Sequence, residues 1–189
     1  MAIRILPPGH RRQEGRFRRA MLGAGDDKKL YGQGGALELT KAEYDKLVAH
    51  MNHTRRRDRQ RRLLLIRIEA ALENGRLISM TDDATVEHIL PKSGGPGWDT
   101  DFPDPRRRAT SANMLGNLAL ITHEQQILAD NKSYAEKRKV YFETPGAPVH
   151  QLTQNLRPIP DWTAQVIEKR TYFLISELFN DWGLFHNEW

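Results

Sequence analysis

The sequence predicts an α+β fold, mostly helical, in which a short two-stranded β hairpin is embedded in a helical scaffold. Three observations predict it. Two short apolar runs, Ala84 to Ile89 and Asn117 to Ile121, have strand length and are bounded by turn residues or Pro91. Three longer stretches, about 41–52, 58–74 and 161–182, repeat apolar residues at helical spacing. No run of about 18 apolar residues occurs, so no transmembrane helix is expected.

The 189 residues suffice for one domain, or a domain with an appended piece, and 39% apolar content allows a modest core. The apolar part of Met1–Pro8 is too short for a signal peptide. The absence of cysteine excludes disulfides and thiolate zinc sites, and makes the cytoplasm the expected compartment. Charge is unevenly spread. Residues 1–62 hold 16 Lys/Arg and 7 Asp/Glu, a net of +9, whereas residues 63–189 hold 13 and 17, a net of −4. That asymmetry points to a polyanionic partner for the first third, against the blander reading of a solvated tail. The expected organisation is a basic, irregular segment over 1–39 and one domain over 40–189. Within that domain the core spans 84–142 and helical scaffold spans 40–75 and 160–183.

Residues 1–39 are broken by Pro7-Pro8-Gly9 and Gly32-Gln33-Gly34-Gly35, with Arg12, Arg16 and Arg19 spaced to share one face of a short helix. Thr40-Lys41-Ala42-Glu43 is a capping box, and a helix follows to about Asn52 with Tyr44, Leu47, Val48 and Met51 on one face. His50 and His53 read as surface residues at its end. A second helix runs from about Asp58 to Asn74, stopped by Gly75, with Leu64, Ile68, Ala71 and Leu72 as its core stripe. Six arginines in the eight residues 55–62 favour phosphate contact over a merely solvated face; Arg55, Arg56, Arg57 and Arg61 are the candidates.

Leu77–Met80 reads as a short strand and Thr81-Asp82-Asp83 as a turn. After the first hairpin strand, residues 92–110 read as a long Gly/Pro/Arg-rich loop. Beyond the second strand come a short helix from about His123 to Leu128 and another from about Lys132 to Phe142. Residues 145–160 form a proline-rich connection. The last helix is expected to start near Asp161 as its cap and to run to about Trp182, with Trp162, Val166, Phe173, Ile175, Leu178 and Phe179 supplying its apolar content.

In Glu87-His88 a carboxylate and an imidazole sit side by side at a strand end. Phosphodiester hydrolysis needs a base to deprotonate water, a charge to stabilise the oxyanion, and help for the leaving 3′ oxygen. A neutral histidine suits the first task at neutral pH. Mg²⁺ or Mn²⁺ held by oxygen donors suits the others. Glu87 and the amides of Gln126 and Asn131 can supply those donors. Asn117 can hydrogen-bond the loop after His88 and hold the ring in place. Each residue alone has an ordinary structural reading; their order, strand–loop–strand–helix, is what makes a catalytic reading compelling. Zinc is disfavoured, since only His88 and His123 lie near the motif, and His123 reads as a helix-terminal surface residue.

Three segments carry a resemblance: Glu87-His88-Ile89-Leu90-Pro91, Leu115-Gly116-Asn117-Leu118-Ala119-Leu120, and Asn131-Lys132-Ser133-Tyr134-Ala135-Glu136-Lys137-Arg138. With Asp161-Trp162, Ile167, Arg170 and Trp182, and the Leu63–Leu72 helix, they resemble the HNH-type nuclease domain of GmrSD-like restriction enzymes over roughly residues 60–182. Phosphorothioate-sensing anti-phage effectors of the SspE type share this layout. The resemblance implies a ββα-metal fold, a divalent metal, DNA cleavage and a role in restriction or anti-phage defence. It also implies an N-terminal nucleotide-hydrolysing, ParB-like partner domain, so that this chain is expected to be a truncated effector or an excised domain. Carried over by position, His88 is the general base, Glu87 a metal ligand and Asn117 the motif's central asparagine. The third position, commonly Asn or His, falls on Gln126, with Asn131 as the other candidate. Lys137 and Arg138 lie where phosphate contacts would be useful. The competing readings are a non-catalytic nucleic-acid-binding module and a ribonuclease using the same site.

Overall fold

The computed structural model describes residues 39–52, 58–73, 84–95, 97–147 and 149–182. The expected strand at Leu77–Met80, the turn at Thr81–Asp83, His53, Arg55, Arg56, Arg57 and the basic segment before residue 39 lie outside the described residues. Leu47–Trp182 form one compact unit; of the other, which takes 1–46 and 183–189, residues 39–46 are described.

The first helix, α1 (Lys41–Asn52), opens on the capping box read from the sequence. The Thr40 backbone N–H donates to Glu43 Oε2 at 2.9 Å, and the Glu43 N–H donates to Thr40 Oγ1 at 3.4 Å. Helix α2 (Asp58–Leu72) packs on the C-terminal helix and buries Leu64 and Ile68 as expected; Leu65 joins them, while the expected Ala71 and Leu72 are only half buried. Its Glu69 is 2% exposed and accepts from the Gln151 and Leu152 N–H groups at 2.7 and 2.8 Å. It thereby satisfies the open first turn of the four-residue α6 (Gln151–Gln154) from a distant element.

Strands β1 (Ala84–His88) and β2 (Leu118–Thr122) pair antiparallel, Ala84 opposite Thr122 and His88 opposite Leu118. β2 is buried along its whole length, with α6 and α4 (His123–Ala129) packed on it. This explains why its residues read as a continuous apolar run rather than an alternation. Helix α4 begins with a second capping box, Thr122 with Gln125. The Gln125 amide reaches on to the Val140 and Tyr141 carbonyls of α5 (Tyr134–Glu143).

Two expectations need correction. The span 92–110 is not one loop: it holds α3 (Pro105–Ala112), with Asp104 accepting from the Arg106 N–H at 2.9 Å and Pro105 at the first helical position. Asp-Pro before a helix is the sequence signal for such a start, masked here by the surrounding Gly and Pro. The C-terminal helix, α7 (Ala164–Asp181), is capped by Thr163, not Asp161: Thr163 Oγ1 accepts from the Val166 N–H at 3.3 Å. Its buried stripe runs through Ile167, Arg170, Leu174, Ile175, Leu178 and Phe179, and Phe173 is 39% exposed.

The approach of α7 to the hairpin depends on Gly116. A Cβ there would lie 2.0 Å from the Ile167 carbonyl oxygen and 2.5 Å from Thr171 Oγ1. The Gly116 N–H instead donates to Thr171 Oγ1 at 2.9 Å. Beside it, the buried Arg170 guanidinium donates to the carbonyls of Gly116, Leu118 and Leu152. Burial lowers the Arg170 pKa to about 10, which leaves the group charged at neutral pH.

Candidate active site

One open cleft of about 400 Å³ is lined by Glu87, His88, Pro91, Lys92, Ser93, Gln126, Asp130, Asn131 and Lys137. It lies where β1 ends, the following loop turns away, and α4 gives way to α5. The hairpin brings His88 there, α4 brings Gln126, and the short turn after α4 brings Asp130 and Asn131. Four of the candidates read from the sequence for a metal-dependent hydrolase, Glu87, His88, Gln126 and Asn131, thus line one space.

Asn117 does not line it. Its side chain is fully buried behind β1 and makes four hydrogen bonds. Oδ1 accepts from the Leu90 N–H at 2.8 Å and from Trp162 Nε1 at 3.1 Å; Nδ2 donates to the Leu90 carbonyl at 2.9 Å and the Ala112 carbonyl at 3.0 Å. The Asn117 carbonyl also accepts from the Ile89 N–H at 3.0 Å. Backbone and side chain of this one residue therefore continue the β ladder beyond His88, pairing Leu90 as a strand residue would. Asn117, the central asparagine of the motif, thus makes the bond to the loop after His88 expected from the sequence and is not among the residues that line the cleft.

Glu87 is 5% exposed, and its Oε1 accepts from Lys137 Nζ at 2.6 Å and from the Tyr141 hydroxyl at 2.9 Å. Lys137 Nζ also donates to the His88 carbonyl at 3.1 Å. Tyr134, Lys137 and Tyr141 form the buried stripe of α5, at helical spacing, with a lysine where an apolar residue would be usual. Burial, and then the Glu87 charge, push the Tyr141 hydroxyl well above its ordinary pKa. Removing one partner of such a buried pair costs about 3–5 kcal/mol, because the other charge is left without compensation.

The two cations expected to contact phosphate from α5 do other work. Lys137 is 1% exposed and held as above. The half-buried Arg138 donates to the carbonyls of Leu156, Arg157 and Ile159, closing the loop after α6. Neither is a free surface cation, and both assignments are corrected on that ground. Arg61 is 7% exposed and is likewise no open phosphate contact. His123 is exposed at the start of α4.

The cleft's rim is stapled. Ser93 Oγ donates to Asn131 Oδ1 at 3.0 Å, and Trp98 Nε1 donates to the Lys132 carbonyl at 3.1 Å, tying the loop after β1 to the turn after α4. Trp98 is fully buried, so this part of the predicted long loop is anchored. Gln126 Nε2 donates to the Val86 carbonyl at 3.1 Å; since a carbonyl needs a donor, the orientation of this amide follows, and Oε1 is the atom left for the cleft.

The cleft also holds Asp130, which no sequence motif marks. It is exposed, borders the cleft, and makes no ion pair or side-chain hydrogen bond among the described residues. Its backbone, at φ 37° and ψ −134°, is the only non-glycine with positive φ among them. Such a conformation costs on the order of 1–3 kcal/mol for a residue with a Cβ. The sequence signal was weak: an aspartate beside the expected Asn131, at a helix end where glycine is the usual residue. Among the described residues no three His, Cys, Asp or Glu side chains form a metal-holding group. A donor set of one carboxylate with amide oxygens, its remaining positions left to water and phosphate, fits Mg²⁺ or Mn²⁺ rather than zinc.

No helix among the described residues is long and apolar enough to cross a membrane. Comparison with curated proteins and with solved structures finds no match. The family model for GmrSD restriction endonucleases, C-terminal domain, matches residues 40–177, from α1 through the hairpin and cleft into α7. The chain belongs to this family, the C-terminal domains of GmrSD restriction endonucleases, and its functional class is that of a restriction-type nuclease.

Proposed function

We propose that this cleft is the active site of a metal-dependent HNH-type DNA endonuclease that nicks or cuts with low sequence specificity and serves restriction or anti-phage defence. The observation that carries the reading is the convergence of Glu87 and His88 from the end of β1, and of Gln126, Asp130 and Asn131 from α4 and the turn after it, on one open cleft. His88 is the general base. Its place is set from two sides, by Lys137 on its own carbonyl and by Asn117 on the residues that follow. That preorganisation is what a proton transfer from water to an imidazole requires. Glu87, Gln126 Oε1 and Asn131, with the exposed Asp130 beside them, are the side chains that would hold a divalent ion. When bound, that ion supplies charge stabilisation to the phosphoryl oxygens and the leaving 3′ oxygen. Lys92, exposed on the rim, is placed to meet the DNA backbone. The proposed controller is a nucleotide-hydrolysing sensor domain acting with this one.

The test is relaxation of supercoiled plasmid with Mg²⁺, Mn²⁺ or EDTA, alongside a labelled RNA of the same length. Wild type is expected to nick the plasmid only with metal. His88→Ala should lose at least about a hundredfold in rate while retaining DNA binding, the usual magnitude for a general base. Unchanged cleavage by His88→Ala rejects the assignment, and cleavage confined to the RNA makes the enzyme a ribonuclease.

A further inference from the structure

Of the seven arginines described between residues 63 and 182, five are already committed. Arg67 pairs with Asp181 and Arg108 with Asp99. Arg138 and Arg170 donate to backbone carbonyls, and Arg157 donates to Gln154 Oε1. Arg106 and Arg107, in the first turn of α3, are exposed and make no ion pair or side-chain hydrogen bond among the described residues. Both line a groove of about 380 Å³ between α3 and α7, which shares no lining residue with the cleft at the end of β1. We infer that this groove is a second phosphate-binding surface, which holds the backbone of a nucleic-acid strand; for its partner alone the inference rests on the proposed nuclease reading.

A guanidinium presents a planar fork of donors that matches two phosphate oxygens at once, and two adjacent forks can follow successive phosphates. The groove offers more than charge. The half-buried Met114 and Ala164 give it apolar surface on which a sugar or base can pack. Beside them Asn52 carries a buried side-chain oxygen with no hydrogen-bond partner. A half-turn of that amide presents an N–H donor in the same place, the group a phosphate oxygen requires. Glu168 on α7 is the one acidic residue lining the groove among those described. No salt bridge joins it to either arginine, so both guanidiniums stay available, and two arginines against one glutamate leave the groove at a net of +1. Helix α3 also links the groove to the cleft. Arg108 packs on Gly94, where a Cβ would lie 2.9 Å from its guanidinium carbon, and Gly94 follows Ser93 on the cleft rim. The first turn of α3 therefore runs from that rim to the groove, along which a strand seated over the cleft can continue.

The experiment is fluorescence anisotropy of a short labelled DNA duplex, in EDTA and over a range of salt concentrations, so that binding is read without cleavage. Wild type is compared with Arg106→Ala/Arg107→Ala, with Glu168→Gln and, as a control of equal charge, with Lys139→Ala/Lys169→Ala, two exposed positions that line no part of the groove. The arginine variant is expected to bind about tenfold or more weakly at about 0.1 M salt and to lower the slope of log affinity against log salt by about 1–2, as the phosphate contacts are lost. Glu168→Gln is expected to bind about threefold tighter, a gain that damage to the fold would not produce. The lysine control should stay within about twofold of wild type. Wild-type affinity and slope in the arginine variant, or an equal loss in the lysine control, overturns the inference. A free mononucleotide at micromolar concentration that displaces the duplex from wild type, and not from the arginine variant, overturns it too and makes the groove a site for a free nucleotide. Should the arginine variant fail to fold, Glu168→Gln decides alone, and unchanged or weaker binding by it overturns the inference. A duplex bound through the groove yet never cleaved when metal is added overturns the nuclease reading and leaves this inference standing.

Discussion

Replacing Asn117 with aspartate changes one NH₂ group to oxygen and nothing else in shape, which isolates what that group does. Nδ2 donates to the carbonyls of Leu90 and Ala112 at 2.9 and 3.0 Å inside a fully buried site. In Asn117→Asp both donations are lost, and two buried carbonyl oxygens face a third oxygen. Each hydrogen bond is worth about 1 kcal/mol, and each buried group left unsatisfied costs about 1–3 kcal/mol. The expected loss is therefore roughly 3–5 kcal/mol near neutral pH, or a fall in melting temperature of about 10 °C or more for a chain of this size. The pH dependence has a definite sign. Burial raises the folded-state pKa of the introduced carboxyl above its unfolded value of about 3.9. The penalty is then smallest at low pH, where a protonated carboxyl restores one donor. It grows as pH rises above about 4 and is complete once the folded-state pKa is passed. Thermal unfolding of wild type and Asn117→Asp across pH 4–8 measures it. A variant that melts within about 2 °C of wild type throughout, or that gains stability with rising pH, refutes the view that this amide continues the ladder beyond His88.

Gly116→Ala should cost about 3 kcal/mol or more, since its Cβ would lie 2.0 Å from the Ile167 carbonyl oxygen and α7 would have to retreat; a melting temperature within 2 °C of wild type would contradict this. Tyr141, whose neutral form the fold favours through burial and the Glu87 charge, contributes stability that is whole below its ordinary pKa of 10.0 and is lost as pH rises above it. Tyr141→Phe should accordingly be about 1.5–3 kcal/mol less stable than wild type at pH 7, having lost a hydroxyl donor to a carboxylate. It should also show a flatter decline above pH 10 in urea denaturation, and equal midpoints for both proteins at pH 7 would argue against it.

The hairpin and the long helices were legible because their apolar residues follow the periods of strand and helix. Observed bounds differ by a residue at most strand ends: Ala84–His88 for a predicted Ala84–Ile89, Leu118–Thr122 for Asn117–Ile121. The second shift matters, because Asn117 belongs to a 3₁₀ turn and not to the strand, which is what turns its side chain back towards Leu90. That it would bond the loop after His88 was readable from motif order; its distance from the cleft was not. The phosphate contact expected of Lys137 fails for a physical reason. A lysine on a helix is normally solvated, and only the partner explains its burial, yet Glu87 lies 50 residues away and on another element. The periodicity Tyr134, Lys137, Tyr141 did hold the clue, because a cation on the apolar face of a helix demands an anion opposite. Asp130 is marked by a positive φ, a property of the folded backbone that leaves no pattern in the sequence.

These contacts bear on where a polyanion can be held. Lys137 is tied to Glu87, Arg138 to three carbonyls, and Arg170 to three more, so three cations of the nuclease core are engaged in holding strands and loops. From residue 63 onward the chain is net negative by four charges, whereas residues 1–62 are net positive by nine. Phosphate attraction scales with the number of charges it can neutralise. Within the proposed nuclease reading, a core of net negative charge would orient a phosphodiester over the cleft and leave the holding of a long duplex to the basic residues 1–62. On the proposed nuclease reading, grip and chemistry would be divided along the chain: the basic residues 1–62 are the ones expected to attract a polyanion, and the cleft at the end of β1 is the one expected to place it. Such a division accounts for a cleft with a single uncommitted carboxylate. On that reading, added negative charge in the cleft would strengthen the hold on a divalent ion and would also repel a phosphate substrate.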